Sequence, residues 1–213
     1  MNGHDSPRTG AGEPLVTVHC RDLASRDIDT KRLASRLAAA AQRARPPQLA
    51  NSVGAGLEGT SSPPAPPAGR PIARIDVLIV GDREMSLYHE RFSGVPGTTD
   101  VLTFPASGPD EPTEVDIVVC ADEARRRASE FGHDLGRELL LYGIHGVLHC
   151  LGYDDHDPDS YERMHAEEDR ILTDLGLGRV FRPQTADTES GAGVPPQRPT
   201  SDRGHGSKGS TQP

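Results

Sequence analysis

His145-Gly-Val-Leu-His149-Cys-Leu-Gly152-Tyr-Asp-Asp155-His156 ends an apolar run that begins at Leu135, and the reading of this run decides the fold. Leu139, Leu140, Ile144, Val147, Leu148 and Leu151 cover most of the circumference of a helix over 135–151. A helix that is apolar nearly all round is a buried one. Imidazoles on a buried helix need partners, and a metal ion would supply one. Two histidines four apart differ by roughly 40° in rotation and about 6 Å in rise, so both face the same way. Gly152 follows where a left-handed residue can end the helix and turn the chain back. The turn brings Asp155 and His156 toward the two imidazoles. Two ligands on a helix and a third beyond a turn leave a fourth position open, as in catalytic rather than structural zinc sites.

Outward from this run, the chain reads as a single domain of the α+β (mixed α/β) class. One central sheet of about four strands and about five helices is expected, with the metal-site helix packed on the sheet. Strands are predicted over 15–19, 72–80, 101–104 and 115–119, from β-branched runs bounded by turn residues. Helices are predicted over 27–44, with Asp29 or Thr30 as cap; over 82–91, with Asp82 as cap and Met85, Leu87 and Tyr88 facing inward; and over 122–131, ending at Gly132. The last runs over about 160–175, with Met164, Ile171, Leu172 and Leu175 inward. Residues 1–13 and 183–213 are polar and rich in Gly, Ser and Pro. They read as a disordered N-terminus and tail flanking a domain over 14–182, with a flexible insertion at 45–70.

A net charge of −9 excludes the broad basic footprint usual for nucleic-acid binders, so contact with RNA would need a local basic patch. The run Arg125–Arg127 reads as a solvated helix face or as part of a phosphate-binding rim. Three cysteines, an odd number with no CxxC pair, suit a reducing cytoplasm better than a secreted scaffold. The N-terminus lacks the basic-then-apolar pattern of a signal peptide. No apolar run approaches the ~20 residues of a membrane span, so no membrane association is expected. Cys150 reads as a core residue. His19, His89 and His133 read as structural, and His165, among Glu167, Glu168 and Asp169, as a surface residue.

The candidate metal ligands are His145, His149 and Asp155, for one zinc ion. Asp155 stands where a third ligand normally lies in the zincin-type layout, and carboxylate oxygen is an acceptable zinc ligand. His156, one residue further on, is the alternative. Metzincin peptidases carry Glu directly after the first His as general base. Gly146 stands there, which speaks against a zinc hydrolase of peptides on that plan.

Three stretches carry a family resemblance. The run from His145 to Asp154 resembles the HGxLHxxGYDH signature of the YbeY family. Thr99-Asp-Val-Leu-Thr-Phe-Pro105 is similar to that family's T-[ND]-V-L-[ST]-F-P strand, and Val115-Asp-Ile-Val-Val-Cys120 to its GDIVI strand. They occur in the family's order and spacing, over roughly residues 72–176 with weaker support from 15 to 44. The resemblance implies a zinc-dependent, single-strand-specific endoribonuclease (a hydrolase) of rRNA precursors. Its expected roles are 16S rRNA 3′ end maturation and ribosome quality control, with the small ribosomal subunit as partner and no organic cofactor. A non-catalytic zinc-containing ribosome-assembly factor is the alternative; there His156 would close the metal shell. Two departures stand out. Asp155 occupies the position of the family's third histidine. The basic residue implicated in catalysis, in the family's Y-R-G stretch, aligns with Ser93; Arg91 is the nearby candidate to replace it.

Overall fold

The structure is a computed structural model that describes residues 12–21, 27–47, 71–107 and 111–180. Most of the expected N-terminal segment, the 45–70 insertion beyond residue 47 and the 183–213 tail lie outside the described residues.

Among the described residues, four strands and five helices follow in the order β1 (Leu15–Cys20), α1 (Thr30–Arg43), β2 (Ile72–Val80), α2 (Asp82–Ser93), β3 (Val101–Pro105), β4 (Thr113–Cys120), α3 (Ala121–Phe131), α4 (Leu135–Cys150) and α5 (Pro158–Asp174). The sheet order is β1-β2-β4-β3. β1 and β4 run parallel to β2, and β3 runs antiparallel to β4. This is the mixed α+β arrangement expected from the order of elements.

The two-residue period of the central strands explains the core. Ile75, Val77 and Ile79 of β2 and Val115, Ile117 and Val119 of β4 point to one face, each at most 2% exposed. There they meet Leu37 of α1 and Leu140, Ile144 and Leu148 of α4 in the main hydrophobic cluster. Each such side chain contributes about 1.5–3 kcal/mol by leaving water, so this face holds most of the fold's stability. A smaller cluster of Val80, Met85, Val118 and Cys120 lies on the other face, flanked by Leu78, Tyr88, Leu102 and Phe104.

Helix α4 reaches the sheet by way of glycine. A Cβ on Gly146 would lie 2.7 Å from Thr103 Oγ1 and 3.1 Å from Ile117 Cδ1; one on Gly143 would lie 3.1 Å from Leu37 Cδ1. Gly146 therefore faces the sheet, and its lack of a side chain sets how closely the histidine-bearing helix can approach. Asp134 caps α4 by accepting from the Arg137 amide, and Asp29 caps α1 by accepting from the Arg32 amide.

Three local expectations need correction. Asp82 is not the cap of α2: Gly81 takes that position, and Asp82 is the first helical residue. Its carboxylate is instead drawn to Arg126, which donates to both oxygens, and it also accepts from the Cys120 thiol. Leu87 does not pack inward but is 63% exposed, leaving Met85 as the buried anchor of α2. Helix α5 begins at Pro158 rather than near residue 160, because Asp157 caps it and proline is favoured in a first helical turn.

Candidate metal centre

The α4–α5 turn builds the site. Helix α4 ends at Cys150, and Gly152 adopts a φ of 96°, a conformation that side chains other than glycine's rarely take. The reversal returns residues 153–156 to the end of the helix they have just left. The Tyr153 carbonyl lies 3.1 Å from His149 Nδ1, and one Asp155 oxygen lies 3.7 Å from His145 Nε2.

The imidazoles are oriented from behind. His145 Nδ1 lies 2.8 Å from a Glu168 oxygen, and His149 Nδ1 faces the Tyr153 carbonyl. A carbonyl or carboxylate only accepts, so each Nδ1 donates, and each ring is left with its Nε2 lone pair. Those Nε2 atoms point at one another, 3.0 Å apart. Two nitrogens about 2.0–2.1 Å from a tetrahedral zinc stand about 3.3 Å apart, close to what is found here. Donor atoms of His145, His149 and Asp155 all fall within 4.8 Å of one another, a set that can hold a metal ion. Two neutral imidazoles and a carboxylate are donors that zinc accepts. Burial lowers the His149 pKa, and the nearness of His145, a second group that can take a proton, lowers it further. The ring is thus neutral near pH 7, the form that ligates.

Asp154, Asp155 and His156 form a second, more exposed group whose donor atoms also lie close together. His156, 84% exposed, turns to Asp154, and only Asp155 also reaches toward the buried histidines.

Behind the rings lies a feature missed by sequence reasoning. Glu168 is fully buried and bridges two histidines: one oxygen accepts from His145 Nδ1 and the other from His165 Nδ1. Burial alone would raise its pKa, but the hydrogen bonds from His145 and His165 outweigh that and hold it down at about 2. His165 is 4% exposed, not on the surface as its acidic neighbours suggested. The signal lay in its spacing from Met164, Glu168, Ile171 and Leu172, which places the buried residues of α5 together on one side.

The site opens to a cleft of about 540 Å³ lined by Ser93, Asp100, Thr103, Pro105, the two histidines, Asp155 and His156, among others. Among the described residues that line it there is no lysine or arginine. Ser93 lines the cleft, whereas the Arg91 guanidinium sits 5.4 Å from the centre of the Phe92 ring. The Arg125–Arg127 run, read as a solvated helix face or part of a phosphate-binding rim, is ion-paired along its length. Arg125 pairs with Asp122, Arg126 with Asp82 and Glu123, and Arg127 with Glu123 and Glu130. Cys150 is buried, and burial pushes its thiol up to about 12, as suits a core residue. His133 pairs with Glu138, and His89 with the Gly97 carbonyl, both away from the cleft lining. No helix among the described residues is long and apolar enough to cross a membrane.

Comparisons with known proteins point the same way. The family model described as Endoribonuclease YbeY matches residues 65–176. A Mycobacterium tuberculosis (strain H37Rv) protein named Endoribonuclease YbeY is 40% identical over 121 residues, or 52% of this chain and 68% of that one. Its namesake from Frankia alni is 37% identical over 142 residues, covering 59% and 78% of the two chains. The namesake from Frankia casuarinae is 40% identical over 114 residues, 48% of this chain, and the match spans 57% of that relative's length. A Thermotoga maritima protein solved in solution is 20% identical, covering 76% of this chain and 92% of its own, with a TM-score of 0.43. Together the matched family model and these relatives show that the chain belongs to the YbeY family.

Proposed function

We propose that this protein is a zinc-dependent endoribonuclease that cleaves single-stranded regions of rRNA precursors. Its work would include 16S rRNA 3′ end maturation and ribosome quality control, in the cytoplasm and in contact with the small ribosomal subunit. One observation carries the metal half of the reading: two Nε2 atoms 3.0 Å apart, each on a ring whose Nδ1 is already committed, with a carboxylate beside them. The name shared by its relatives supports the nuclease half. The three free cysteines, Cys20, Cys120 and Cys150, favour a reducing compartment.

His145, His149 and Asp155 are the residues that would hold zinc. Bound there, the ion would supply Lewis acidity toward a phosphoryl oxygen and bring the pKa of water near 7. The protein's own groups do the rest. Glu168 and the Tyr153 carbonyl keep both rings aimed at the shared point. The walls of the cleft come from β3 and the 153–156 turn, with Ser93 of α2 beside them. Asp155 adds one negative charge compared with an imidazole, so the donor set as a whole is more electron-rich. Gly146, pressed against Thr103 and Ile117, leaves no room for the glutamate that metzincin peptidases use as base, which favours this reading over peptide hydrolysis.

The test is metal analysis of the purified protein together with cleavage of single-stranded RNA by the wild type and His149→Ala. About one zinc per chain and cleavage lost in the variant are expected. A metal-free wild type, or a variant that cuts as well as the wild type, would sink the proposal.

A further inference from the structure

We infer that Glu168, braced by His165, is the positioning carboxylate of this site: it selects the His145 tautomer whose Nε2 lone pair can bind the metal. The inference rests on the reading that the site holds a divalent ion, and it extends that reading to two residues on a different helix.

Glu168 comes from α5 and His145 from α4, 23 positions apart in the chain. Its side chain is 1% exposed and both oxygens are engaged, one by His145 Nδ1 and the other by His165 Nδ1. A carboxylate only accepts, so a proton must stand on the Nδ1 of each ring that faces it. For His145 that leaves Nε2 without a proton, turned toward His149 Nε2 and Asp155. A glutamate held by one oxygen alone could swing about its terminal bond. The second bond, to His165, removes that freedom. His165 is in turn held by the Tyr161 ring, centroid to centroid 3.9 Å in an edge-to-face arrangement, and lies in a loose stack on His145 at 6.4 Å. Partners of this kind fix the orientation of a ligating ring and raise its basicity, and losing one typically weakens metal binding about 10- to 100-fold.

A simpler role would be that of an ion pair tying α5 to α4, contributing to stability and nothing else. The two roles differ in what they predict for protein that remains folded. A tie changes the melting temperature and leaves zinc affinity alone; a positioning group changes the affinity itself.

The experiment uses the full chain and measures zinc affinity by competition with a chromophoric chelator. Folding is followed by circular dichroism, and ligand geometry by the visible absorption of the cobalt-loaded protein. Glu168→Gln keeps the volume but presents an amide that can donate toward His145. It should stay folded and bind zinc about 10- to 100-fold more weakly, with an altered cobalt spectrum. His165→Leu removes the brace and should weaken binding less. His165→Asn restores a nitrogen donor near the Nδ1 position and should return affinity toward wild type. Folded Glu168→Gln with wild-type affinity and spectrum would overturn the inference while leaving the metal site standing. Equal affinities in His165→Leu and His165→Asn would overturn the part given to His165, even if Glu168→Gln failed to fold. A wild type that takes up no zinc would overturn the metal reading and the positioning role with it.

Discussion

The two halves of the candidate centre are built in opposite ways. His145 and His149 stand on a buried helix, fixed by the sheet beneath and by Glu168 behind; the His145 side chain is 6% exposed. Asp155 stands on a turn held by Gly152 and a few backbone bonds, and its side chain is 35% exposed. The imidazoles are held by hydrogen bonds that their Nδ1 atoms donate to Glu168 and the Tyr153 carbonyl, whereas the carboxylate stands on a short loop. The contrast suggests a division of roles. The rigid half determines whether the ion binds, and the exposed half tunes what the bound ion does. A turn also accommodates a short, charged donor such as Asp155 more readily than a packed helix could.

Substitutions on the two halves should break the comparison if it is wrong. The largest effect is expected from His145→Ala, which should abolish stoichiometric zinc uptake and RNA cleavage; Asp155→Ala should weaken uptake but leave it measurable by chelator competition. Equal losses would erase the distinction. Next comes Gly146→Ala, on the buried face of α4. Its new methyl would press on Thr103 Oγ1 at 2.7 Å, and overpacking of this kind costs about 1–3 kcal/mol. Denaturant melts should show that loss, accompanied by weaker zinc binding because the helix carrying both rings must shift.

Acid should act on the buried half in two stages. The His149 pKa is lowered from its ordinary 6.5, chiefly by burial and then by His145. Below 6.5 the unfolded chain therefore takes up a proton at this residue that the folded chain resists, and the metal-free protein should lose stability as pH falls through that region. Glu168, held near 2 against an ordinary 4.5, adds stability above 4.5 that is lost as pH falls toward 2. Melting temperatures of chelator-treated protein between pH 8 and pH 2 test this, and His149→Gln should flatten the upper stage. A melting temperature that stays level down to pH 5 would contradict the assignment.

Smaller effects belong to the turn. Asp155→His removes one negative charge from the donor set, so zinc should remain bound and the acid limb of the pH–activity profile should move to lower pH. An unchanged profile would show that the carboxylate does not tune the ion. Smallest of all is His156→Ala: the ring is 84% exposed and turned to Asp154, so zinc affinity should not change. A clear loss would make His156 a ligand and join the two halves into one shell.

How much of this could be read along the chain follows the range of the forces involved. The strands at 72–80 and 115–119, the long apolar helix, and the helix–glycine–turn sequence all rest on neighbours within a few residues. Periodicity, caps and a glycine with positive φ are enough to predict them. The meeting of His145, His149 and Asp155 is local in the same sense, since one turn of helix and one reversal bring them together. Local errors arose where a residue had a distant partner. Asp82 looked like a cap and was drawn instead to Arg126, 44 positions away. The arginine run read as a solvated face or a phosphate rim, and spacing could not show that Arg126 pairs with Asp82 on a different helix.

Residue spacing alone was therefore enough to propose which side chains share a turn of helix and a bend. Only the packed chain shows that β3 reverses against β4, that Gly146 is needed for contact with Thr103, and that Glu168 and His165 stand behind the ligating ring. An acidic, histidine-containing stretch has the composition of a solvated surface. It becomes an interior network only when α5 docks on α4, because burial is a property of the whole assembly of elements and cannot be computed from any one of them.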